Sequence, residues 1–188
     1  MQEACEASAG GMAAIVGLDQ EAVRSVCDPA DVSLANLNCR GQIVVSGDTD
    51  KIDAACDAAK TAGAKRAIPL PVAGAYHSPL MQPAQSGLGE ILAKVELCEP
   101  SVSVYSNVTG QAHVNARTIA GAMVKQVTSP VKWEACIHAM IADGVTRFIE
   151  LGPGTALTGF MRRIDRTAEV LNVGDCDSLA KAAEALNA

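Results

Sequence analysis

The sequence predicts an α/β fold, and two observations favour this class. Hydrophobic residues make up 49% of the 188 residues and aromatic residues only 3%, so the core must be built mainly from Ala, Val, Leu and Ile. Segments rich in Val and Ile, which are typical of strands, alternate with Ala-rich segments that have helical spacing. A chain of this length is expected to form one domain, or one domain with a small subdomain.

The first part of the chain predicts the order β-α-β-β-α-β. The predicted elements are the end of a helix over 1–9, a strand over 12–17, a helix from the cap Asp19 to Cys27, strands over 32–38 and 42–46, a break at 47–48, a helix from 49 or 50 to 62, and a strand over 64–70. This order is that of the split β-α-β, or ferredoxin-like, arrangement, which we predict for residues 10–70. The arrangement says little about function.

Residues 71–188 alternate helices and strands. Helices are predicted over 80–94, 116–127, 133–142, 155–164 and 178–186, and strands over 103–107, 147–151 (buried) and 169–173. Such alternation predicts part of a mostly parallel sheet. Three strands are few, since a sheet usually has about five or six. We therefore expect the chain to be incomplete.

Charge and cysteine usage exclude several classes of protein. The formal net charge is -6 and no basic run occurs, so a nucleic-acid partner is not expected. The seven cysteines are scattered without a C-x-x-C spacing, which argues against a metal site and a disulfide framework. They are predicted to be buried thiols of a reducing compartment. No apolar run of 18 residues indicates a membrane span, and the acidic N-terminus is not a signal peptide.

The most informative stretch is the junction between the strand over 64–70 and the helix over 80–94. It contains His77 among the small residues Gly74, Ala75 and Ser78, with prolines on either side. Pro79 fits the first turn of a helix, so that Ser78 or His77 would be its cap. A histidine at such a junction is either a capping residue or a general base on a rigid scaffold, and position alone leaves both open.

The other candidates for chemistry are weaker. The nucleophile elbow G-x-S-x-G does not occur in the sequence, and Ser46 at a strand end lacks the preceding glycine. The Gly152-Pro153-Gly154 segment before a helix is either a tight turn or an anion site. His138 is expected to be structural and His113 to lie in a solvated loop, and the three histidines give no metal-ligand spacing.

Several motifs together carry a family resemblance that runs nearly from end to end. They are Gly11–Leu18 (GMAAIVGL), Asn36-Leu37-Asn38, Gly41–Gly47 (GQIVVSG), 63–70 (GAKRAIPL), 74–78 (GAYHS), Leu80-Met81, Pro83-Ala84, Ser106-Asn107-Val108, Gln126-Val127, 129–133 (SPVKW) and 150–154 (ELGPG). In this combination the chain resembles malonyl-CoA:acyl carrier protein transacylases and the acyltransferase domains of polyketide synthases. The resemblance covers only the C-terminal part of that family's chain.

The resemblance implies a fold and a mechanism. It implies a ferredoxin-like small subdomain at 10–70, inserted in an α/β-hydrolase-like large subdomain of which 71–188 would be the C-terminal portion. In the family, a serine attacks the malonyl thioester, and a histidine takes its proton and later activates the phosphopantetheine thiol of the carrier protein. The match makes His77 that histidine. It also makes the main-chain carbonyl of Gln126 the acceptor that fixes its ring.

Further residues and partners follow from the same resemblance. Tyr76 stands where a bulky aromatic residue goes with malonyl rather than branched substrates, and Asn38 and Gln42 match the stretch that faces the cleft. Malonyl-CoA is the implied substrate and acyl carrier protein the implied partner, with its own phosphopantetheine and no cofactor besides. The implied compartment is the bacterial cytosol or the plastid.

The sequence departs from the family in one respect that bears on activity. The family's serine elbow, the arginine that pairs with the malonate carboxylate and the oxyanion-hole amides have no counterpart in these 188 residues. A base without a nucleophile cannot perform the transfer, so the chain alone is predicted to be inactive. Two alternatives remain: a non-catalytic protein or split-enzyme half that binds acyl carrier protein or the missing N-terminal half, and a free-standing ferredoxin-like ligand-binding module.

Overall fold

The structure, a computed structural model, describes residues 1–187. Its contacts divide the chain into two compact units, Met1–Cys136 and Ile137–Ala188. The division falls inside the helix Trp133–Ala142. The predicted boundary at residue 70 was drawn from the order of elements instead, and it stays a prediction.

The predicted α/β class is confirmed. The first unit contains α1 Gln2–Glu6, β1 Gly10–Val16, α2 Gln20–Ala30, β2 Ser33–Cys39, β3 Gln42–Asp48, α3 Thr49–Thr61, β4 Arg66–Pro69, a 3-10 turn at Pro79–Met81, α4 Gln82–Leu92, β5 Tyr105–Ser106, β6 Gln111–Ala112, α5 Ala116–Gln126 and the start of α6 Trp133–Ala142. The second contains the rest of α6, β7 Arg147–Leu151, α7 Ala156–Ile164, β8 Glu169–Val173 and α8 Cys176–Asn187.

Strands β2, β3, β1 and β4 form an antiparallel sheet in that spatial order, with Met12 opposite Ser46 and Ile15 opposite Ala67. The predicted order β-α-β-β-α-β is therefore present. Alternate residues of each strand point to opposite faces. One face packs against α2 and α3 in the main core, which includes Ala13, Ile15, Val23, Cys27, Ile43, Val45, Ile52 and Cys56. The other face carries Met12, Ala35 and Val44, with Leu70 and Tyr76 packed against them.

The predicted break at Gly47-Asp48 is wrong, because β3 continues through both residues. Gly47 pairs with Gly11 and Asp48 with Gly10, the first residues of β1. Strand pairing needs only backbone groups, so facing glycines can extend a ladder that their weak strand preference argues against. This extension brings the start of β1 beside the junction that contains His77.

The predicted strand over 103–107 does not join a parallel sheet. Only Tyr105–Ser106 is extended, and it pairs antiparallel with Gln111–Ala112, which the sequence did not predict as a strand. The chain reverses between them because the Ser106 hydroxyl accepts hydrogen bonds from the N–H groups of Val108 and Thr109. Gly110, at a φ of 76°, completes the turn.

In the second unit, β7 and β8 pair in parallel, with Arg147 opposite Glu169 and Leu151 opposite Val173. This confirms the predicted strands and their parallel pairing. The prediction that β7 is buried is wrong, since the side chains of Leu151 and Ile149 are 76% and 40% exposed. Both α7 and α8 contact β8, and Ile149 and Leu151 on one side of β7 are left exposed among the described residues.

The cysteines are thiols, but the prediction that all are buried is wrong for two of them. Cys98 and Cys176 are exposed, while the other five are buried. Burial raises the pKa of the Cys27 thiol to about 11, and Asp28 adds to this shift, so this cysteine is a poor nucleophile.

Within residues 1–187 no group of three or more His, Cys, Asp or Glu side chains is placed to hold a metal ion. In the same residues no helix has the length and apolarity needed to span a membrane.

Candidate active site

His77 lies in a strained turn between β4 and α4. Its φ of 61° places it in the left-handed region, which residues other than glycine adopt uncommonly. Such conformations cost about 1–3 kcal/mol each and cluster at functional sites, where the surrounding structure holds them. The contacts of the neighbouring residues supply that support.

Ser78, and not His77, caps the helical turn that follows. The Ser78 hydroxyl accepts from Leu80 N at 3.3 Å and donates to the Ala75 carbonyl at 2.7 Å. The side chain is 1% exposed, and Pro79 occupies the first turn as predicted. The reading of His77 as a capping residue is therefore wrong, and its ring is available for another role.

Two glycines let the His77 turn approach the rest of the unit. A Cβ on Gly10, at the start of β1, would lie 2.6 Å from Ala75 N, and one on Gly74 would lie 2.5 Å from the Cys5 sulfur. Real Cβ atoms do not come this close to a backbone nitrogen. The turn thus packs directly against the start of β1 on one side and against the Cys5 side chain of α1 on the other.

The ring of His77 is held by the end of α5. Its Nδ1 lies 3.0 Å from the main-chain oxygen of Gln126, the contact that the resemblance implies. A carbonyl can only accept, so this contact favours a proton on Nδ1 and a lone pair on Nε2. The Gln126 side-chain nitrogen, a donor, lies farther from Nδ1, at 3.5 Å. A histidine in this tautomer is prepared to take a proton at Nε2 from a hydroxyl or thiol.

Side chains and strand contacts fix the segment that carries this carbonyl. The Gln126 side-chain amide donates to the Ser129 oxygen at 2.8 Å. Further along, Val131 exchanges main-chain hydrogen bonds of 2.8 Å with Ala35 and Leu37 of β2. The Ser129-Pro130-Val131 motif therefore links the histidine's acceptor to the sheet.

His77 lines a cavity of about 280 Å³. Thr128, Pro130 and Ser33, at the start of β2, also line this cavity. Arg24 and Asp28 of α2 line it as well and bring one positive and one negative charge. The cavity is large enough for a small polar group beside the imidazole.

Tyr76 is half-buried between two apolar clusters. It packs against Met81 and Val127 on one side and against Met12 and Val44 on the other. A hydrogen bond with the Cys5 thiol raises the pKa of the Tyr76 hydroxyl. The packing role is thus visible, while its role in substrate choice stays a prediction.

Asn38 and Gln42 lie near the turn that joins β2 to β3. The cavity beside His77 includes Ser33, at the other end of β2, and neither of these two residues. Ser33 and Asn38 are separated by about 16 Å along an extended strand. Neither Asn38 nor Gln42 lines that cavity, and their role in facing the cleft stays a prediction.

Ser46 is unsuited to nucleophilic attack. It is fully buried in β3, and its hydroxyl has no hydrogen-bond partner among residues 1–187. A serine nucleophile needs a base in hydrogen-bond contact, and none is present here. Of the other histidines, His138 is exposed on α6 rather than structural, and His113 is half-buried.

The surroundings of Gly152-Pro153-Gly154 favour the tight turn over the anion site. The amide groups of α7 are occupied by the Glu150 carboxylate, which accepts from Leu157 N and Thr158 N at 2.9 Å and from the Thr158 hydroxyl at 2.6 Å. Burial raises the pKa of Glu150, but these hydrogen bonds together outweigh it and hold the pKa below its usual value. An internal carboxylate thus complements the helix N-terminus.

Replacing Glu150 by glutamine is expected to destabilise the second unit by about 1 kcal/mol at neutral pH, as for loss of a helix cap. The wild-type carboxylate contributes fully above its unfolded pKa of about 4.3, and this contribution is lost as the pH falls through the lower folded value. Urea unfolding at about pH 7 and about pH 3 measures both effects. The control is Glu184→Gln at an exposed position of α8. Equal losses in the two variants would contradict the assignment.

In this α/β protein a main-chain carbonyl holds one nitrogen of a histidine ring, and the other nitrogen is left to accept a proton. This arrangement is typical of enzymes that use the ring as a general base. The comparisons with known proteins specify the class further. The chain belongs to the Acyl transferase domain family, whose profile matches residues 1–183.

The relatives are described as malonyl transferases. The chain is 42% identical to the malonyl CoA-acyl carrier protein transacylase of Bacillus subtilis over 99% of its own length. Its structure matches that of an acyl carrier protein S-malonyltransferase from Vibrio cholerae with a TM-score of 0.92 and 41% identity, over 97% of this chain and 61% of that one. A third match is to a chain of a solved structure that is described as a type II PKS acyl-carrier protein in complex with its malonyl-transacylase. The TM-score is 0.90 and the identity 36%, over 97% of this chain and 62% of that one. The chain spans 60% of the Bacillus subtilis relative.

Proposed function

We propose that this chain supplies the histidine base of a malonyl-CoA:acyl carrier protein transacylase. The observation that carries the proposal is the 3.0 Å contact between His77 Nδ1 and the Gln126 carbonyl, which leaves Nε2 ready to take a proton. Membership of the family and the names of the relatives support the choice of reaction.

The base would act in both halves of the reaction. In the first, Nε2 takes the proton of a serine hydroxyl while the oxygen attacks the malonyl thioester carbonyl, and the imidazolium returns the proton to the departing coenzyme A sulfur. In the second, Nε2 takes the proton of the carrier protein's phosphopantetheine thiol. The thiolate attacks the malonyl-serine ester, and the serine oxygen leaves with the proton from the ring.

We assign the nucleophile to another segment. No G-x-S-x-G occurs in these 188 residues, and Ser46 lacks a base. The serine, the oxyanion-hole amides and the arginine for the malonate carboxylate would come from the part of the relatives that this chain does not span. By itself the chain would then transfer no malonyl group.

The fold is consistent with such a division. We assign 10–70 to a ferredoxin-like small subdomain, and 71–188 to the closing part of an α/β-hydrolase-like large subdomain. The antiparallel order β2-β3-β1-β4 supports the first assignment. The exposed Ile149 and Leu151 of the β7–β8 pair support the second, since parallel strands are usually covered on both faces.

Malonyl-CoA and acyl carrier protein are the proposed substrate and partner. The relatives bear names that state this reaction, and one solved relative is bound to an acyl-carrier protein. No further cofactor is proposed. Tyr76, beside the base, is proposed to favour a malonyl over a branched acyl group.

The test is transfer of labelled malonyl from malonyl-CoA to an acyl carrier protein. The chain is assayed alone and mixed with a separately expressed N-terminal segment of the Bacillus subtilis relative, which we propose to be the 40% that this chain does not span. Transfer in the mixture only is the expected result. Transfer by the chain alone would overturn the assignment of the nucleophile, and silence in both would overturn the proposed activity.

A second candidate is a non-catalytic protein that binds the carrier protein or the other half of the enzyme. The observation that favours it is the exposed apolar side of β7, because exposed apolar patches mark interaction sites. Binding of acyl carrier protein by this chain, without transfer in any mixture, would select this candidate.

A further inference from the structure

The carbonyl that orients His77 belongs to a helix end that its own backbone holds loosely. Helix α5 ends at Gln126, and the next hydrogen bonds are long: Thr128 N to Lys125 O at 3.2 Å and Ser129 N to Gln126 O at 3.4 Å. Backbone hydrogen bonds usually measure about 2.9–3.0 Å. The position of the Gln126 carbonyl must therefore depend on other contacts.

Besides the main-chain bonds of Val131 to β2, two shorter side-chain hydrogen bonds supply them closer to this carbonyl. One is the bond of 2.8 Å from the Gln126 amide to Ser129, which lies within the same segment. The other joins the Thr128 hydroxyl to the side-chain oxygen of Gln85, also at 2.8 Å, between half-buried residues 43 positions apart. Only the second of these two bonds reaches another element, because Gln85 lies in the first turns of α4.

Helix α4 is also the element that the His77 turn leads into. The capped turn Pro79–Met81 passes directly into Gln82–Leu92. The imidazole and its acceptor are therefore both fixed to the start of α4, one through the chain and the other through Thr128. Two hydrogen bonds, His77–Gln126 and Thr128–Gln85, and the two chain segments that connect them, 126–128 and 77–85, therefore form a closed ring.

We propose that Thr128 and Gln85 are positioning residues for the proposed base: their hydrogen bond holds the Gln126 carbonyl against His77 Nδ1 and so selects the Nδ1–H tautomer. Without the bond, the loosely held turn can move away from the ring. The alternative tautomer then gains population, and its Nε2 carries a proton and cannot accept another. The catalytic consequence rests on the proposed function, while the effect on the tautomer does not.

The experiment measures the tautomer of His77 in the full chain by ¹⁵N NMR, with the signal assigned by its loss in His77→Asn. Thr128→Val keeps the shape of the side chain but removes the hydroxyl, and Thr128→Ser keeps the hydroxyl. Thr128→Val is expected to lower the ratio of Nδ1–H to Nε2–H by about two- to tenfold, the range that one net hydrogen bond spans. Thr128→Ser is expected to stay near the wild type.

The control removes an equivalent hydroxyl elsewhere: Thr61→Val in α3, where the exposed side chain bonds only within its own helix. A second variant, Gln85→Met, removes the acceptor and is expected to match Thr128→Val. An unchanged ratio in Thr128→Val and Gln85→Met would overturn the proposal, and so would an equal shift in Thr128→Ser or Thr61→Val. A shift confined to Thr128→Val and Gln85→Met supports it even if no mixture transfers malonyl.

Discussion

Replacing His77 by asparagine is expected to slow malonyl transfer in the reconstituted mixture by about 10²–10⁴-fold, the usual contribution of a general base. Asparagine is the substitution that isolates the base, because it tolerates positive φ better than most residues and so suits the backbone at His77. Alanine at this position would add backbone strain to the loss of the ring.

The matched controls are the same change at the other two histidines. His113 lies in the β6–α5 loop and His138 at an exposed position of α6, and each is replaced by asparagine. Both are expected to transfer malonyl at the wild-type rate. If all three variants lose activity equally, or if His77→Asn keeps the wild-type rate, then His77 is not the base. Circular dichroism of each variant checks that it has folded.

Replacing Gly10 by alanine is expected to lower the free energy of unfolding of the first unit by about 2–3 kcal/mol, a cost typical of overpacking. The new methyl group would lie 2.6 Å from Ala75 N and 2.7 Å from Ala75 Cβ. Ala75 is fully buried, and its carbonyl accepts from Ser78, so relief of the clash must displace the His77 turn. A loss of the Nδ1–H tautomer of His77 is therefore expected in the same variant.

The next residue of the strand provides the control. A Cβ on Gly11 would meet its nearest neighbour, the Thr49 hydroxyl, at 3.6 Å, which is ordinary contact. Gly11→Ala is expected to change the stability by less than about 1 kcal/mol and to leave the tautomer unchanged. Urea unfolding gives the first quantity and ¹⁵N NMR the second. Equal losses at both positions would show that Gly10 has no special contact with the turn.

Elements with strong local signals could be predicted from the sequence. The helix Trp133–Ala142 and the strand Glu169–Val173 have the predicted bounds, because apolar spacing and flanking glycine or acidic residues mark them locally. The cap Asp19 was also correct, and it accepts from Ala22 N at 2.8 Å. Helix α2 nevertheless runs three residues further than predicted, through Pro29 to Ala30.

The errors occur where pairing between distant segments overrides local preference. Gly47 and Asp48 were predicted to end a strand, but facing Gly10 and Gly11 give them partners. Leu151 was predicted to be buried because it belongs to the apolar segment 147–151, yet nothing among the described residues covers it fully. Burial depends on what lies opposite a strand, which periodicity along that strand does not reveal.

The candidate site was predicted unevenly. Local sequence pointed to His77 through its neighbours, but its pairing with the Gln126 carbonyl, 49 residues away, came from the family resemblance and not from any pattern. The left-handed backbone of His77 and the Thr128–Gln85 bond were missed. A bond between two common polar side chains 43 residues apart leaves no signal in a single sequence, whereas a histidine next to a serine cap and a proline leaves one.

The central claim is that this chain provides the base and another segment the nucleophile. The most direct test is to mix the chain with the N-terminal segment, add malonyl-CoA without carrier protein, and determine by intact-protein mass spectrometry which polypeptide becomes malonylated. The malonyl group is expected on the N-terminal segment, at the serine of its G-x-S-x-G elbow, and none is expected on this chain. A malonyl group on this chain, lost in Ser46→Ala, would contradict it.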